Sequence, residues 1–97
     1  MHFLLFYDYV ENITERREPY REAHLALAKQ HVERGELILA GVFTDPLDGA
    51  TLLFKTDDRK NIENYVQRDP YVVNGLVSEW RIRECKIVLG SAIEHIV

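Results

Sequence analysis

The first hydrophobic pattern in the chain is a short run that is apolar on both alternating sets of positions. Residues 2–9, HFLLFYDY, are dense in β-forming side chains, which predicts a strand with two apolar faces. One face carries Phe3, Leu5, Tyr7 and Tyr9, and the other carries Leu4 and Phe6.

An apolar stripe at helical spacing follows this strand. Pro19 suits the first turn of a helix, and Gly35 is typical of the residue just after a helix end. The pattern therefore predicts a helix between them. Its stripe consists of Tyr20, Ala23, His24, Leu27, Ala28, His31 and Val32.

The second half of the chain predicts two more strands, a second helix and a last strand. Residues 36–43 and 50–56 read as strands on either side of the turn-rich residues 44–49. Asp57 or Asp58 is expected to cap the helix that follows. Its stripe is Ile62, Tyr65, Val66 and then Asp69, and a long strand over residues 76–89 comes after Pro70 and Gly75.

The resulting order β-α-β-β-α-β predicts an α+β, ferredoxin-like fold with a four-stranded antiparallel sheet. We expect one domain over residues 1–90 and a C-terminal tail over residues 91–97. In this fold the helices cover only one face of the sheet. An antiparallel sheet that faces water should carry polar side chains there, and the first strand does not.

This mismatch predicts a homodimer that packs through the open sheet face, because large exposed apolar patches are rare on monomers. Further apolar side chains on one face of the last strand support the same expectation. They are Leu76, Trp80, Ile82 and Val88.

Composition and charge then exclude several classes of function. The 97 residues carry a net charge of −4, whereas nucleic-acid binding needs a basic face. No run of 18 apolar residues is present, so no membrane-spanning helix is expected. Cys85 is the single cysteine, which excludes an internal disulfide. The expectation is a soluble, cytoplasmic protein.

The topology brings two distant polar residues together. The first helix should run antiparallel to the second, which places His24 beside Asp69. A carboxylate next to an imidazole fixes its tautomer and supports its protonated form, as a general base requires. Pro70 biases Asp69 away from helical geometry and holds its direction. The alternative is a buried His–Asp hydrogen bond that only fastens two helix ends.

Other candidate site residues surround this pair. Arg16 and Arg17 precede the first helix and are candidates to bind an anionic or phenolic substrate, or else they form a solvated charge run with neighbouring glutamates. No metal site or cofactor is expected, since no histidine or cysteine cluster has ligand spacing. Tyrosines are candidates for pocket walls, although core packing is their commoner role: Tyr7, Tyr9, Tyr20 and Tyr71.

Several segments together resemble the YciI-like proteins of the YCII-related domain family. They are HFLLFYDY, RREPYREAHL, GELILAG, TDPLDGA and DPYVVNGLVSEWRIREC. Val42 departs from the pattern, since many relatives have proline there. The resemblance implies a dimeric α+β barrel with His24 and Asp69 as the active-site pair. One kind of relative acts as a dehydrochlorinase on a chlorinated hydroxyhydroquinone without a metal.

The resemblance thus leads to two hypotheses of different kinds. The first is a cofactor-independent lyase or isomerase acting on a small phenolic or carbonyl compound. In this hypothesis His24 moves a proton, and Asp69 orients the His24 side chain. The second is a non-catalytic dimeric module that binds a small ligand or supports another protein. A cofactor-free monooxygenase or a haem-binding protein is a third reading, which no feature of the sequence selects.

Overall fold

The structure, a computed structural model, describes residues 1–91. In this part of the chain four antiparallel strands form one sheet, and helices cover one of its faces. The order across the sheet is β2-β3-β1-β4, which confirms the ferredoxin-like prediction. The strands are β1 His2–Tyr9, β2 Leu37–Val42, β3 Gly49–Lys55 and β4 Val77–Glu84.

Two main helices and three short helical segments connect the strands. The main helices are α2 Arg21–Glu33 and α3 Arg59–Arg68; the short segments are α1 Ile13–Arg16, a 3-10 turn Glu18–Tyr20 and α4 Pro70–Val73. The predicted first helix thus begins later than expected, because Pro19 lies in the 3-10 turn. The helix α1 was not predicted, because its four residues are too few to show a periodic stripe.

The ends of the main helices follow the expected local chemistry. Of the two aspartates proposed as the cap of α3, Asp58 is the one that accepts a hydrogen bond from the Lys60 backbone N–H, at 2.9 Å. Gly35 follows α2 with a φ of +75°, a left-handed conformation that glycine adopts without steric cost.

The main core lies between the helices and one face of the sheet. Burying a large aliphatic side chain such as Ile62 contributes about 1.5–3 kcal/mol. The predicted stripe of α3 is fully buried, whereas that of α2 is narrower than expected, because Ala23 and Val32 are exposed. The core comprises Phe3, Leu5, Tyr7, Leu27, Leu37, Ala50, Leu52, Phe54, Ile62, Tyr65, Val66 and Ile82.

The last strand is shorter than the predicted residues 76–89. It pairs with β1 as far as Glu84, which lies opposite Phe3, and the Cys85 N–H donates to the His2 carbonyl at 2.9 Å. Since β1 begins at His2, the residues after Cys85 have no β1 backbone left to pair with. The apolar pattern of residues 86–89 therefore does not form strand.

The register also corrects the expected composition of the uncovered sheet face. Residues opposite each other in antiparallel strands share a face, and β4 places Ile82 opposite Leu5 and Trp80 opposite Tyr7. Both side chains therefore lie on the helix-covered face. Leu76 precedes β4, and Val88 follows it and is exposed. On β4 the uncovered face carries Glu79, Arg81 and Arg83.

Apolar side chains remain on the uncovered face of the other strands. Leu4 lies opposite Leu53, and Leu53 lies opposite Leu39, so all three share that face. Phe6 is on the same face, with the Arg81 guanidinium 4.5 Å above its ring centroid. The uncovered face is thus mixed, with an apolar centre and a charged edge.

Two further expectations concern the chain as a whole. Within residues 1–91, no helix is long and apolar enough to cross a membrane. The predicted tail lies outside the described residues, apart from Ser91.

Candidate functional site

Asp69 lies where α3 meets α4, and its side chain is fully buried. Its backbone is extended, with φ −69° and ψ 120°, as expected for a residue that precedes a proline. Pro70 then occupies the first turn of α4, a position that tolerates a missing N–H. Pro70 therefore ends α3 and starts α4 with the Asp69 carboxylate directed into the protein.

Three donors contact this buried carboxylate. Oδ1 accepts from the Tyr71 backbone N–H at 3.0 Å and lies 2.7 Å from Nδ1 of His24. Oδ2 accepts from the Tyr7 hydroxyl at 2.8 Å. A buried charge is costly unless it is hydrogen-bonded, and these three contacts satisfy it.

His24, in the first turns of α2, is held in two ways. Its Nδ1 contacts Asp69, and its ring stacks on Tyr71 with centroids 3.6 Å apart and an interplanar angle of 3°. The carboxylate can only accept, so Nδ1 carries the proton. In the neutral ring, the lone pair is then on Nε2, an arrangement suited to removing a proton.

A pocket of about 180 Å³ lies between α2, α3 and the helix-covered face of the sheet near β2. His24 is part of its wall, and since Nδ1 points at Asp69, Nε2 is the ring nitrogen left for a ligand. Three tyrosines are part of the wall: Tyr7, Tyr9 and Tyr65. The rest of the wall is apolar and mostly small: Leu25, Ala28, Ala40, Gly41, Val42, Ala50 and Leu52.

The tyrosines around Asp69 are held in their neutral form. Burial, and then the negative charge of Asp69, raises the pKa of Tyr7 well above its ordinary value. Burial, followed by neighbouring Tyr71 and Asp69, raises the pKa of Tyr9 to about 12. Burial also raises the pKa of Tyr71, and nearby Arg17 and Arg21 oppose that rise. These phenols are therefore hydrogen-bond donors at neutral pH.

The sequence-predicted residues thus fall into three groups: those that line the pocket, those that hold His24, and those away from the pocket. Tyr7 and His24 line the pocket, and Asp69 and Tyr71 hold the histidine in place from behind. Tyr20 packs instead against a second cluster formed by Ile13, Tyr71 and Leu76.

The two arginines are also off the pocket wall. Arg16 is exposed at the end of α1. Arg17 is half-buried, and its charge acts on Tyr9 and Tyr71. Among the described residues, no partner of its buried Nε is present. Neither Arg16 nor Arg17 lines the pocket.

Sequence reasoning overlooked Tyr65 as a pocket residue. It was assigned only to the apolar stripe of α3, yet it lines the pocket wall. A signal was present, because Tyr65 precedes Asp69 by four residues and such residues lie on the same side of a helix. Val42, the departure from the family pattern, is also on the wall.

Residues 1–91 contain no group of three or more His, Cys, Asp or Glu side chains placed to hold a metal ion. His31, the second histidine of α2, contacts Glu36 through Nδ1 at 3.2 Å. Cys85 is a free cysteine and half-buried.

Comparison with known proteins identifies both a family and structural neighbours. The model of the YCII-related domain matches residues 1–86. A similar solved structure is 5-chloro-2-hydroxyhydroquinone dehydrochlorinase from Burkholderia phenoliruptrix in complex with 2,5-dihydroxybenzoquinone. It has a TM-score of 0.77 and 18% identity, over 90% of this chain and 95% of that one.

A second similar structure is a candidate antibiotic biosynthesis monooxygenase from Nitrosomonas europaea. Its TM-score is 0.56 at 16% identity, over 88% of this chain and 98% of that one. None of the curated proteins matches the chain. At these identities the two structures show a shared fold.

Proposed function

This chain belongs to the YCII-related domain family, and from that premise we propose that it is a cofactor-independent enzyme acting on a small phenolic or carbonyl compound. His24 and Asp69 carry its acid–base chemistry, which is lyase-like and resembles dehydrochlorination. The observation that carries the proposal is the 2.7 Å contact between His24 Nδ1 and the buried Asp69 carboxylate, with His24 forming part of a pocket wall.

In the proposed reaction His24 acts as the base and Asp69 as the residue that positions it. Nε2 takes a proton from a hydroxyl or an acidic carbon of the substrate. The electron pair left behind forms a carbonyl, and the chlorine-bearing ring carbon takes up a proton and becomes tetrahedral. Loss of a second hydroxyl proton then forms the second carbonyl, and chloride departs with the pair of its carbon–chlorine bond, so that one proton and one chloride are lost overall. Proton and chloride leave together as HCl, so the electrons balance without an oxidant.

Asp69 stabilises the imidazolium that forms when His24 gains this proton. A carboxylate that accepts from Nδ1 fixes the tautomer and the orientation of the ring, which leaves the lone pair of Nε2 free. Stacking on Tyr71 keeps the ring from turning away from the pocket. Such a fixed geometry lowers the entropy cost of reaching the reactive arrangement.

The substrate class is supported by the pocket and by a neighbour. The wall combines small apolar side chains with three tyrosine residues, which suits a flat aromatic ring. The dehydrochlorinase of similar fold binds 2,5-dihydroxybenzoquinone, a compound of this class. Arg17 is close enough to Tyr71 to affect its titration, and we propose that it attracts an anionic oxygen of the substrate. Arg16 and Tyr20 are proposed to contribute to substrate binding from outside the pocket wall.

Chloride release from 5-chloro-2-hydroxyhydroquinone tests the proposal. We expect turnover by the wild-type protein and a loss of at least about 100-fold in kcat for His24→Gln, the usual range for removing a general base. His31→Gln is the matched control, since it alters the other histidine of the same helix, which is buried and outside the pocket wall. It should retain the wild-type rate.

Full chloride release by His24→Gln would contradict the assignment of the base. A different result would favour the non-catalytic alternative: no chloride release by the wild type, together with binding of 2,5-dihydroxybenzoquinone. In that case His24→Gln and Asp69→Asn should lower the melting temperature and leave binding unchanged.

A further inference from the structure

The three tyrosines of the pocket wall differ in the state of their hydroxyl groups. The Tyr7 hydroxyl donates to Asp69 at 2.8 Å, and the Tyr65 hydroxyl is fully buried. Tyr9 is half-buried. Its hydroxyl makes no hydrogen bond within residues 1–91 and, unlike that of Tyr65, is not fully buried. Tyr9 is thus the wall tyrosine whose O–H is available to a ligand.

Packing holds the ring of Tyr9 in one position. The side chain contacts both clusters of buried residues, and its ring lies edge to face with that of Tyr71 at a centroid distance of 6.1 Å. The backbone is also held, because the Tyr9 N–H donates to the Asp48 carbonyl at 2.8 Å. A donor that is already ordered loses little entropy when a ligand binds.

The charges around Tyr9 make its hydroxyl a donor to anions. Burial raises the pKa of Tyr9 to about 12, Tyr71 and Asp69 add to this effect, and Arg17 and Arg21 oppose it. The phenol therefore keeps its proton at neutral pH. Neither arginine forms an ion pair in the part of the chain that the structure describes. Their charges are therefore available to favour a negative charge near Tyr9.

The pocket is small enough for one ligand to contact Tyr9 and His24 together. A cavity of about 150 Å³ holds one benzene ring, and this pocket measures about 180 Å³ with both side chains on its wall. His24 offers the lone pair of Nε2, and Tyr9 offers an O–H. A base and a hydrogen-bond donor in one pocket suit a step in which an oxygen loses its proton and gains negative charge.

We infer that the Tyr9 hydroxyl donates a hydrogen bond to the substrate oxygen that carries negative charge once its proton has been removed. The inference rests on the proposed function in placing the substrate beside His24. It adds a second catalytic residue, which contacts the substrate and keeps its own proton throughout. A donor that is fixed in advance stabilises the developing charge without having to reorient.

The pKa of 4-nitrophenol bound to the protein tests this inference without any turnover. The phenol and phenolate forms of this probe absorb at different wavelengths, so a spectrophotometric titration of the bound probe gives its pKa directly. A hydrogen bond from Tyr9 stabilises the phenolate. Tyr9→Phe removes this bond and should raise the pKa of the bound probe by about 1 to 2, the usual effect of one hydrogen bond to a charged group.

The matched control is Tyr65→Phe, which removes a fully buried hydroxyl and leaves an aromatic ring on the same wall. In this variant the pKa of the bound probe should equal the wild-type value. Tyr9→Phe should keep the wild-type melting temperature, because the Tyr9 hydroxyl makes no hydrogen bond within residues 1–91. Three results would overturn the inference: an unchanged pKa of the probe in Tyr9→Phe, an equal rise in Tyr65→Phe, or no binding of 4-nitrophenol by the wild type.

This experiment can fail independently of the test of the proposed function. If Tyr9→Phe raises the pKa of the bound probe while His24→Gln keeps full chloride release, Tyr9 stabilises a bound oxyanion and the proposed base is wrong. If His24→Gln loses chloride release while Tyr9→Phe leaves the pKa of the probe unchanged, the base is confirmed and Tyr9 is not the donor.

Discussion

Among the individual residues, Asp69 combines two roles that usually fall to different side chains. Its Oδ1 caps α4 through the Tyr71 N–H and also contacts His24. The helix cap therefore fixes the carboxylate before any ligand arrives. A preorganised acceptor of this kind stabilises charge without having to reorient during a reaction.

His31 differs from His24 in its environment, which gives a pH prediction. Burial lowers the pKa of His31, and nearby Glu36 opposes that effect while Arg34 adds to it. The unfolded chain therefore binds a proton at higher pH than the folded chain does. The free energy of unfolding should fall as pH drops below about 6.5, the ordinary histidine pKa, and level off below the folded pKa.

Urea unfolding at several pH values between 5 and 8 measures this effect as the difference between the wild type and His31→Gln. The variant should lose less stability on acidification, because it cannot take up this proton. Equal losses in both proteins would show that His31 does not contribute.

On the level of secondary-structure elements, the start of β3 helps to position Tyr7, a residue of the site. Gly49 is buried, and a Cβ added to it would lie 2.5 Å from the Tyr7 carbonyl oxygen. Tyr7 in turn donates to Asp69. The close approach of the two strands therefore helps to set the position of this donor.

Gly49→Ala should destabilise the protein by about 1–3 kcal/mol, the usual cost of forcing extra atoms into a packed region. Thermal and urea unfolding measure it. Gly41→Ala is the control, since this glycine is also in a strand and an added Cβ meets nothing within 4 Å. Equal stability losses would show that the Tyr7 contact does not restrict Gly49.

The elements that sequence predicted well are those with a strong local pattern. Continuous apolar runs placed β1 and β3 to within a residue or two, and the stripe of Ile62, Tyr65 and Val66 identified α3. The end of β4 could not be predicted, because it depends on where the partner strand begins. A local apolar pattern contains no information about strand register.

The candidate site was only partly predictable for the same reason. The proximity of His24 and Asp69 followed from the order of elements and from two stripes. The pocket wall did not, because it combines residues from α2, α3 and three strands whose relative positions come from tertiary packing. Tyr65 shows the difficulty, since an aromatic residue in a stripe indicates core packing first.

For the molecule as a whole, the uncovered face of the sheet remains the proposed dimer surface. It carries apolar side chains, of which Leu39 on the edge strand β2 is 48% exposed and Leu53 on β3 is 5% exposed, and its β4 edge is charged. A surface with an apolar core and a polar rim is typical of specific interfaces. The charged edge means that the interface has to accommodate Arg81 and Arg83.

Sedimentation velocity at micromolar concentration should give twice the chain mass of 11.4 kDa. Leu39→Lys should shift the protein towards the monomer, because it introduces a charge into the apolar part of the proposed interface. The control Val32→Lys alters a similarly exposed residue, 53% against 48%, on α2. A wild-type monomer, or equal behaviour of both variants, would refute a dimer through this face.

The proposed chemistry requires that Asp69 holds His24 with its proton on Nδ1 and the lone pair on Nε2. Long-range ¹H–¹⁵N NMR of the histidine rings at pH 8 tests it most directly, since it needs no substrate. We expect a protonated Nδ1 and an unprotonated Nε2 for His24, and loss of this preference in Asp69→Asn. The opposite tautomer, or a spectrum unchanged by Asp69→Asn, would contradict it.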